Sequence, residues 1–166
     1  GLNRKLKEIE KSLRECASKA PTGEGVTQSQ VLLGAAFRRV DILRRQIQRS
    51  KPATIHRMRV AFKRFRYTAE LLQPFLPSFT PQRLERMKDF QGAAGDIQDV
   101  AVLLARIEKE TKHGHFTADC VKNLRDDLLR CERRAINSLM ERIDELKGFE
   151  PEQPMPFASK REIASK

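Results

Sequence analysis

Apolar residues recur every three or four positions along most of this chain, which is the spacing of one face of an α-helix. Five stretches carry the pattern, at about 2–19, 28–50, 54–73, 81–110 and 117–147. Pro81 is predicted in the first turn of the fourth helix. The residues predicted to face the core include Leu32, Met87, Phe90, Ala94, Ile97, Leu124 and Cys131. None of the five stretches alternates strictly between apolar and polar residues, as a half-buried β-strand would. Short connections between long amphipathic helices favour antiparallel neighbours. The pattern therefore predicts an all-α protein, in which the last four helices form an antiparallel four-helix bundle and the first is an additional N-terminal helix.

The segments between the predicted helices contain residues that interrupt helices. Proline and glycine occur at 21–25, 51–53 and 73–77, and again at Gly148. Thr54 is the predicted N-cap of the third helix, because its hydroxyl can accept a hydrogen bond from a free backbone N–H group. Residues 149–166 hold further prolines and no helical pattern. We therefore predict one helical domain over 1–148, followed by a loosely ordered tail.

The helix predicted at 54–73 sorts its side chains by charge. At about 100° per residue, one side presents a mostly cationic row: His56, Arg59, Lys63, Arg66 and Tyr67. The adjoining side carries apolar residues and predicts the contact with the core. A solvated helix usually mixes acids with bases so that charges pair four residues apart, but the only acid near this row is Glu70. The unbalanced row indicates a polyanionic partner outside the chain.

Net charge strengthens this interpretation. The 166 residues carry a formal charge of +11, an excess that a fold does not need and that an anionic partner uses. The excess is local, since residues 38–66 contain eleven lysines and arginines and one acid, Asp41. Beyond the row, the cations predicted to contact the anion are Arg38, Arg45, Arg49, Arg57 and Lys88. His56 and Arg57 also follow the predicted helix start, where free N–H groups attract phosphate. The alternative is a surface helix whose bases pair with acids on neighbouring helices.

A second informative segment, 91–100, places two glycines inside a predicted helix. Each costs about 1 kcal/mol relative to alanine, so Gly92 and Gly95 indicate that another helix approaches closely. Asp96 and Asp99 are predicted to hold arginine or lysine side chains in fixed orientations behind the ligand-contacting row. The alternative is a helix break at Gly95, with Asp96 as the N-cap of a new helix.

The sequence offers little for catalysis. His56 has no serine, cysteine or aspartate partner in a recognisable triad order, and Asp96 and Asp99 lack the further carboxylates of a metal site. We therefore predict a binding module that is not an enzyme and uses no metal or cofactor. Three cysteines without CxxC spacing are typical of reduced thiols in the cytosol. No apolar run reaches the roughly 20 residues of a membrane span, so we predict a cytoplasmic protein without membrane contact.

Two motifs together resemble the CHAD family, the conserved histidine α-helical domain. The first runs from Ile55 to Tyr67 and ends in Lys-Arg-Phe-Arg-Tyr, and the second is the glycine and aspartate segment downstream. The resemblance covers about 52–110 and implies a helical bundle whose basic groove binds inorganic polyphosphate, with a location at polyphosphate granules. Carried over by position, the basic motif holds His56, Arg59, Lys63, Arg66 and Tyr67, and the downstream motif holds Asp96 and Asp99.

Members of that family typically contain two related bundles in a longer chain, whereas this sequence shows one, which resembles the second repeat. The resemblance therefore implies that a second copy of the chain, as a homodimer, or a missing repeat completes the groove. Three other functions stay open: nucleic-acid binding, an accessory role beside a phosphohydrolase, and a helical interaction module that docks through the first helix or the tail. Against nucleic acid, the chain has no tryptophan and one tyrosine, so it lacks an aromatic platform for bases.

Overall fold

The structure, a computed structural model, describes residues 23–152. The helix predicted at 2–19 and most of the predicted tail lie outside the described residues. Four α-helices follow one another: α1 at Gly23–Arg45, α2 at Pro52–Leu72, α3 at Pro81–Lys112 and α4 at Ala118–Glu141. Short 3-10 helices follow α2 at Gln73–Phe75 and α4 at Ile143–Phe149. Between residues 23 and 152 there is no strand, so the prediction of an all-α helical bundle is confirmed.

The ends of α1 differ from the prediction of 28–50. Its described part already includes residues 23–27, so the helix is not limited to a start at 28. It ends earlier, at Arg45, because the N–H groups of Gln46 and Ile47 bond to carbonyls three residues back. These shorter bonds tighten the chain into a turn instead of continuing the α-helix.

The prediction of Thr54 as an N-cap is wrong. α2 begins at Pro52, and its N-cap is Lys51, which makes no side-chain cap bond. Thr54 instead lies inside the first turn, where its hydroxyl donates to the Lys51 carbonyl at 2.7 Å and accepts from the Gln48 N–H at 3.0 Å. These bonds fasten the connection between α1 and α2 and so fix how the two helices face each other.

α3 is continuous through both of its internal glycines. Its N-cap is Thr80, whose hydroxyl accepts from the Arg83 N–H at 3.3 Å, and Pro81 occupies the first turn as predicted. Proline is favoured there because its missing N–H would have no partner in the helix. The alternative of a helix break at Gly95 is therefore wrong.

The last predicted helix divides into two. α4 begins after Thr117, whose hydroxyl accepts from the Cys120 N–H at 3.3 Å. It ends at Glu141, and the 3-10 helix at Ile143–Phe149 turns the chain back toward the core. Phe149 is fully buried, although the sequence pattern assigns it to the tail.

Aromatic side chains from three helices meet in the core. The Phe62 ring centroid of α2 lies 5.0 Å from Phe90 of α3 and 5.8 Å from Phe149. Phe37 of α1 joins through Phe65, at 5.3 Å. Edge-to-face and tilted pairs of this kind stabilise a core beyond the burial of their area. The cluster holds one side of α2 inside the bundle, which turns the opposite side of α2 toward solvent.

Three positions predicted to face the core are exposed. Leu32 of α1 is 60% exposed, because the neighbouring Leu33 takes the buried position. Leu124 and Cys131 of α4 are also exposed. α3 has 32 residues and α2 has 21, so the outer part of the α3–α4 pair extends beyond α2. Among the described residues, none between 98 and 134 joins the main core.

Candidate functional site

The core contacts of α2 determine which of its side chains are available for binding. Its buried apolar residues are Ile55, Met58, Ala61, Phe62, Phe65 and Ala69. Its exposed polar side chains include His56, Arg57, Lys63, Arg64 and Tyr67. α2 contains one acid, Glu70, and none in its first turn. The exposed side of α2 is therefore almost entirely cationic.

Arg66 lies apart from this exposed set, at the contact between α2 and α3. Its side chain is buried, with 8% of the residue exposed. Arg66 Nε donates to Gln91 Oε1 at 2.9 Å, and Nη1 donates to Glu70 Oε1. Its guanidinium carbon also lies 4.4 Å from the Tyr67 ring centroid. The sequence predicts Arg66 as a ligand contact, whereas the structure places it where it ties α2 to α3 and neutralises the single acid of the helix.

Arg59 lies across a glycine of α3. A β-carbon added at Gly95 would lie 3.8 Å from Arg59 Nη2 and 3.9 Å from Nε. Both distances are ordinary van der Waals contacts, so the guanidinium lies against the surface of α3 at Gly95 but does not require a glycine there. Arg59 Nε is buried and has no hydrogen-bond partner within residues 23–152. A half-buried cation without an internal acid has its charge available to an external anion.

Lys63 and Tyr67 continue the row beyond Arg59. Lys63 is exposed, and its Nζ lies 5.7 Å from the Tyr67 ring centroid. In the part of the chain that the structure describes, neither Arg59 nor Lys63 forms an ion pair. The two are four residues apart, which is about 6 Å along a helix axis. Two uncompensated cations therefore follow each other along one side of α2.

His56 lies between two openings on the surface. One is a cavity of about 270 Å³ between α2 and α3, and the other is a cavity of about 390 Å³ between α2 and α1. Arg57 lines only the second of these. The sequence predicts free N–H groups beside both residues, but α2 begins at Pro52. The free N–H groups of a helix belong to its first turn, so they lie one turn before His56.

The structure does not bring Asp96 and Asp99 to the cationic row. Both carboxylates are exposed, and no hydrogen bond or ion pair joins either to another residue between 23 and 152. Lys88, also predicted as a ligand contact, pairs with Glu85 of its own helix at 3.0 Å. The described residues contain no group of three or more His, Cys, Asp or Glu side chains able to hold a metal ion. The glycine of this segment contacts the row, and its acids do not.

The cations of α1 divide into paired and unpaired residues. Asp41 accepts from Arg44 and Arg45, with Nη2–Oδ distances of 2.9 and 2.7 Å. Burial alone would raise the pKa of the Asp41 carboxyl, but the hydrogen bonds from Arg45 and Arg44 outweigh burial and lower it. Arg38 and Arg49 are exposed and without an ion pair in the described range. Of the three α1 and turn arginines predicted to bind the anion, Arg45 already shares the Asp41 carboxylate with Arg44.

Two arginines that the sequence interpretation did not select lie at the α1–α2 cavity. Arg39 reaches it from α1 and Arg64 from α2. The available signal was the spacing of Arg57 and Arg64, which are seven residues apart and so project from the same side of a helix. Arg39 could be assigned to the cavity only from the way α1 packs against α2, which the helical periodicity of the sequence does not show.

These features define the class of protein: an all-α bundle in which one helix exposes cations that internal acids do not balance. The family model described as the CHAD domain matches residues 2–108, and this chain belongs to the CHAD family. Comparisons with curated proteins and with solved structures find no match. Within the described range, no helix has both the length and the apolar character needed to cross a membrane.

Proposed function

We propose that this protein binds inorganic polyphosphate through the exposed side of α2 and does not hydrolyse it. The observation that carries the proposal is the charge balance of that side: Arg59 and Lys63 have no acidic partner among the described residues, because Glu70 is bound to Arg66. Family membership supports it, since some CHAD domains bind polyphosphate. A row of cations suits a linear, repeating anion better than one phosphate, which needs convergent donors.

The chemistry of the two cations complements a phosphate chain. Arg59 offers a planar fork of donors that matches phosphate oxygens, and Lys63 offers a mobile point charge on a flexible stem. The guanidinium of Arg59 lies beside Gly95 of α3, and its Nε has no hydrogen-bond partner among the described residues. Binding of this kind releases counterions from the polyanion, so the affinity falls steeply as salt rises.

Binding without chemistry is part of the proposal because the row lacks the groups that phosphate hydrolysis uses. Hydrolysis requires an activated nucleophile or a metal that polarises the phosphoryl oxygens. His56 makes no hydrogen bond to a carboxylate within residues 23–152. Neither Asp96 nor Asp99 forms a hydrogen bond or an ion pair with His56 in that range. A phosphate contact is the role that His56 fits best, since it is exposed about one turn before Arg59 in α2.

The decisive experiment compares charge changes on α2 with the same changes on α4. Arg59→Gln combined with Lys63→Glu should weaken binding of long-chain polyphosphate by about 100-fold at low salt, since it removes two phosphate contacts and adds a repulsive charge. The matched control is Arg125→Gln with Arg133→Glu, two exposed positions of α4. Affinity measured by fluorescence anisotropy should change little in the control, and circular dichroism should show that both variants are folded.

Competition with nucleic acid tests the class of polyanion. RNA supplied at an equal concentration of phosphate groups should displace polyphosphate poorly, because the exposed side of α2 offers one aromatic ring, Tyr67, for stacking. Equal displacement by RNA would mean that the exposed side of α2 does not prefer polyphosphate and that nucleic acid is an equally good ligand. Equal loss of affinity in the α2 and α4 variants would contradict the proposal, because the attraction would then follow net charge alone.

A further inference from the structure

A second cationic surface lies between α1 and α2, on the other side of α2 from α3. It is an open cavity of about 390 Å³ bordered by Arg39, Arg57 and Arg64, with His56 at one edge. The remaining lining residues are apolar: Ala36, Leu43, Val60 and Ala61. Among the residues that the structure describes, no acidic side chain lines the cavity. The groove therefore has a small, apolar floor and a cationic rim.

The three arginines of this rim are not balanced inside the described part of the chain. All three are exposed, and the ion pairs among residues 23–152 include none of them. On the same helix as Arg39, the neighbouring Arg44 and Arg45 show what balanced arginines look like, since both bond to Asp41. Like charges facing one groove repel each other, and nothing in the groove offsets that repulsion. An external anion is the group that would.

The geometry of α2 separates this rim from the row of Arg59 and Lys63. At about 100° per residue, Arg64 projects about 100° around the helix from Lys63, and Arg57 about 160° from Arg59. One phosphate cannot contact both sides of a helix at once. His56 borders the cavities on both sides of α2, so it lies where an anion passing from one side to the other would cross.

We infer that the α1–α2 groove is a second phosphate-binding segment, and that a long polyphosphate chain crosses α2 beside His56 to occupy both sides. This inference rests on the proposed function and extends it. Arg57 and Arg64 are separated by about 10.5 Å along the helix axis, a distance that an extended polyphosphate chain spans with several phosphate units, so that the two arginines contact different parts of one chain. Arg39 closes the opposite wall of the groove. The apolar floor holds no polar group that competes with phosphate for the three guanidinium groups.

The consequence is selection by chain length. A short polyphosphate fills the row of Arg59 and Lys63 and ends there, whereas a long chain continues into the groove. Arg39 and Arg64 should therefore determine how much the affinity rises with chain length, while contributing little to the binding of a short chain.

The test measures tripolyphosphate and long-chain polyphosphate against the same proteins. Arg39→Gln with Arg64→Gln should weaken the long chain by about tenfold and reduce the slope of log affinity against log salt by about 1.5, as expected for two lost contacts. Tripolyphosphate should bind the variant within about twofold of the unchanged protein, since its contacts lie on the other side of α2. The matched control is Arg125→Gln with Arg133→Gln on α4.

The outcomes separate this inference from the proposed function. If Arg39→Gln with Arg64→Gln behaves like the α4 control while Arg59→Gln with Lys63→Glu still loses binding, the groove is not a phosphate site and the proposed function stands. If neither pair on the two sides of α2 affects binding, the proposed function fails. Equal losses for short and long chains, or a loss of thermal stability with unchanged binding, would also overturn the inference. In the last case the arginines of the rim stabilise the fold and do not bind the anion.

Discussion

The helices α2 and α4 each carry five lysines and arginines, yet their surfaces differ in charge. α4 carries five acids among its bases, whereas α2 carries one. Arg130 of α4 donates to Asp127 of the same helix. In α2 the single acid, Glu70, is bound to the buried Arg66. The two helices therefore have equal numbers of cations but different formal charges, which are five minus one, or +4, for α2 and five minus five, or 0, for α4. The proposed anion site on α2 rests on this lack of acids and not on the number of cations.

α1 lies between these two cases. One of its two acids, Asp41, binds Arg44 and Arg45 at once, while Arg38 and Arg39 stay exposed and unpaired within the described residues. Pairs at i,i+3 and i,i+4 stabilise a helix by a few tenths of a kcal/mol, so a helix that lacks them gives up little stability. A helix with few acids can therefore keep lysines and arginines without ion pairs at a small cost in folding stability.

The largest effect should come from making α2 resemble α4 without removing any of its lysines or arginines. His56→Glu with Tyr67→Glu places an acid within one turn of both Arg59 and Lys63. Each new acid pairs with a cation and repels phosphate, so the affinity for long-chain polyphosphate should fall by about 30-fold or more at low salt. Anisotropy titrations measure the change.

The neutral control for that variant is His56→Gln with Tyr67→Gln. It removes the same side chains without adding charge, and it should lose less affinity than the acidic pair. Equal losses in the two variants would mean that the imidazole and the phenol themselves bind the anion. The difference in anion binding between α2 and α4 would then not be explained by the acids that α2 lacks.

A smaller effect, on stability, should distinguish the two kinds of arginine. Arg66→Ala removes a buried side chain that bonds Gln91 and Glu70, so the free energy of unfolding should fall by about 1–2 kcal/mol. Arg130→Ala breaks an exposed pair on α4 and should cost under about 0.5 kcal/mol. Urea unfolding measures both. Equal costs would show that Arg66 does not tie α2 to α3.

Most of the fold was predictable from the sequence, because helical periodicity is a local property. The stripe Met87, Phe90, Ala94 and Ile97 of α3 is buried as expected. Leu32 and Leu124 were assigned wrongly for different reasons. Leu32 competes with an adjacent leucine for the same contact, and Leu124 lies where α3 and α4 extend past their neighbours. Which apolar residue of a pair is buried depends on where the next helix lies, and the periodicity does not contain that information.

The candidate site was predictable in part. The sorting of cations on α2 followed from helix geometry. The close helix approach predicted from Gly92 and Gly95 is not observed, since a β-carbon at Gly92 would meet nothing within 4 Å and one at Gly95 would meet only the Arg59 side chain at ordinary contact distance. The role of Arg66 was not predictable, since its bond to α3 joins residues of two helices. Arg39 was also missed, because its partners across the groove come from a different helix. Local charge patterns thus predicted the helix that carries the site, and packing decided which of its cations are free.

The smallest expected effect converts balanced cations of α1 into unbalanced ones. Asp41→Asn removes the carboxylate that binds Arg44 and Arg45, so it leaves two guanidinium groups without their acid. The affinity for long-chain polyphosphate should rise by up to about threefold at low salt, and the rise should vanish as salt screens the surface. The control is Asp127→Asn, which frees Arg130 on α4. An equal rise in that control would mean that any freed surface cation increases binding.

The acid dependence of stability provides an independent check on the same substitution. The arginine hydrogen bonds lower the pKa of Asp41 in the folded protein despite its partial burial. A carboxylate with a lowered pKa stabilises the fold above its unfolded pKa and loses that contribution as the pH falls through the folded pKa. The unchanged protein should therefore lose its advantage over Asp41→Asn below a pH of about 4. Because the pair is partly exposed, the advantage should stay below about 1 kcal/mol, and a difference that persists at pH 2 would show that the carboxylate charge is not its source.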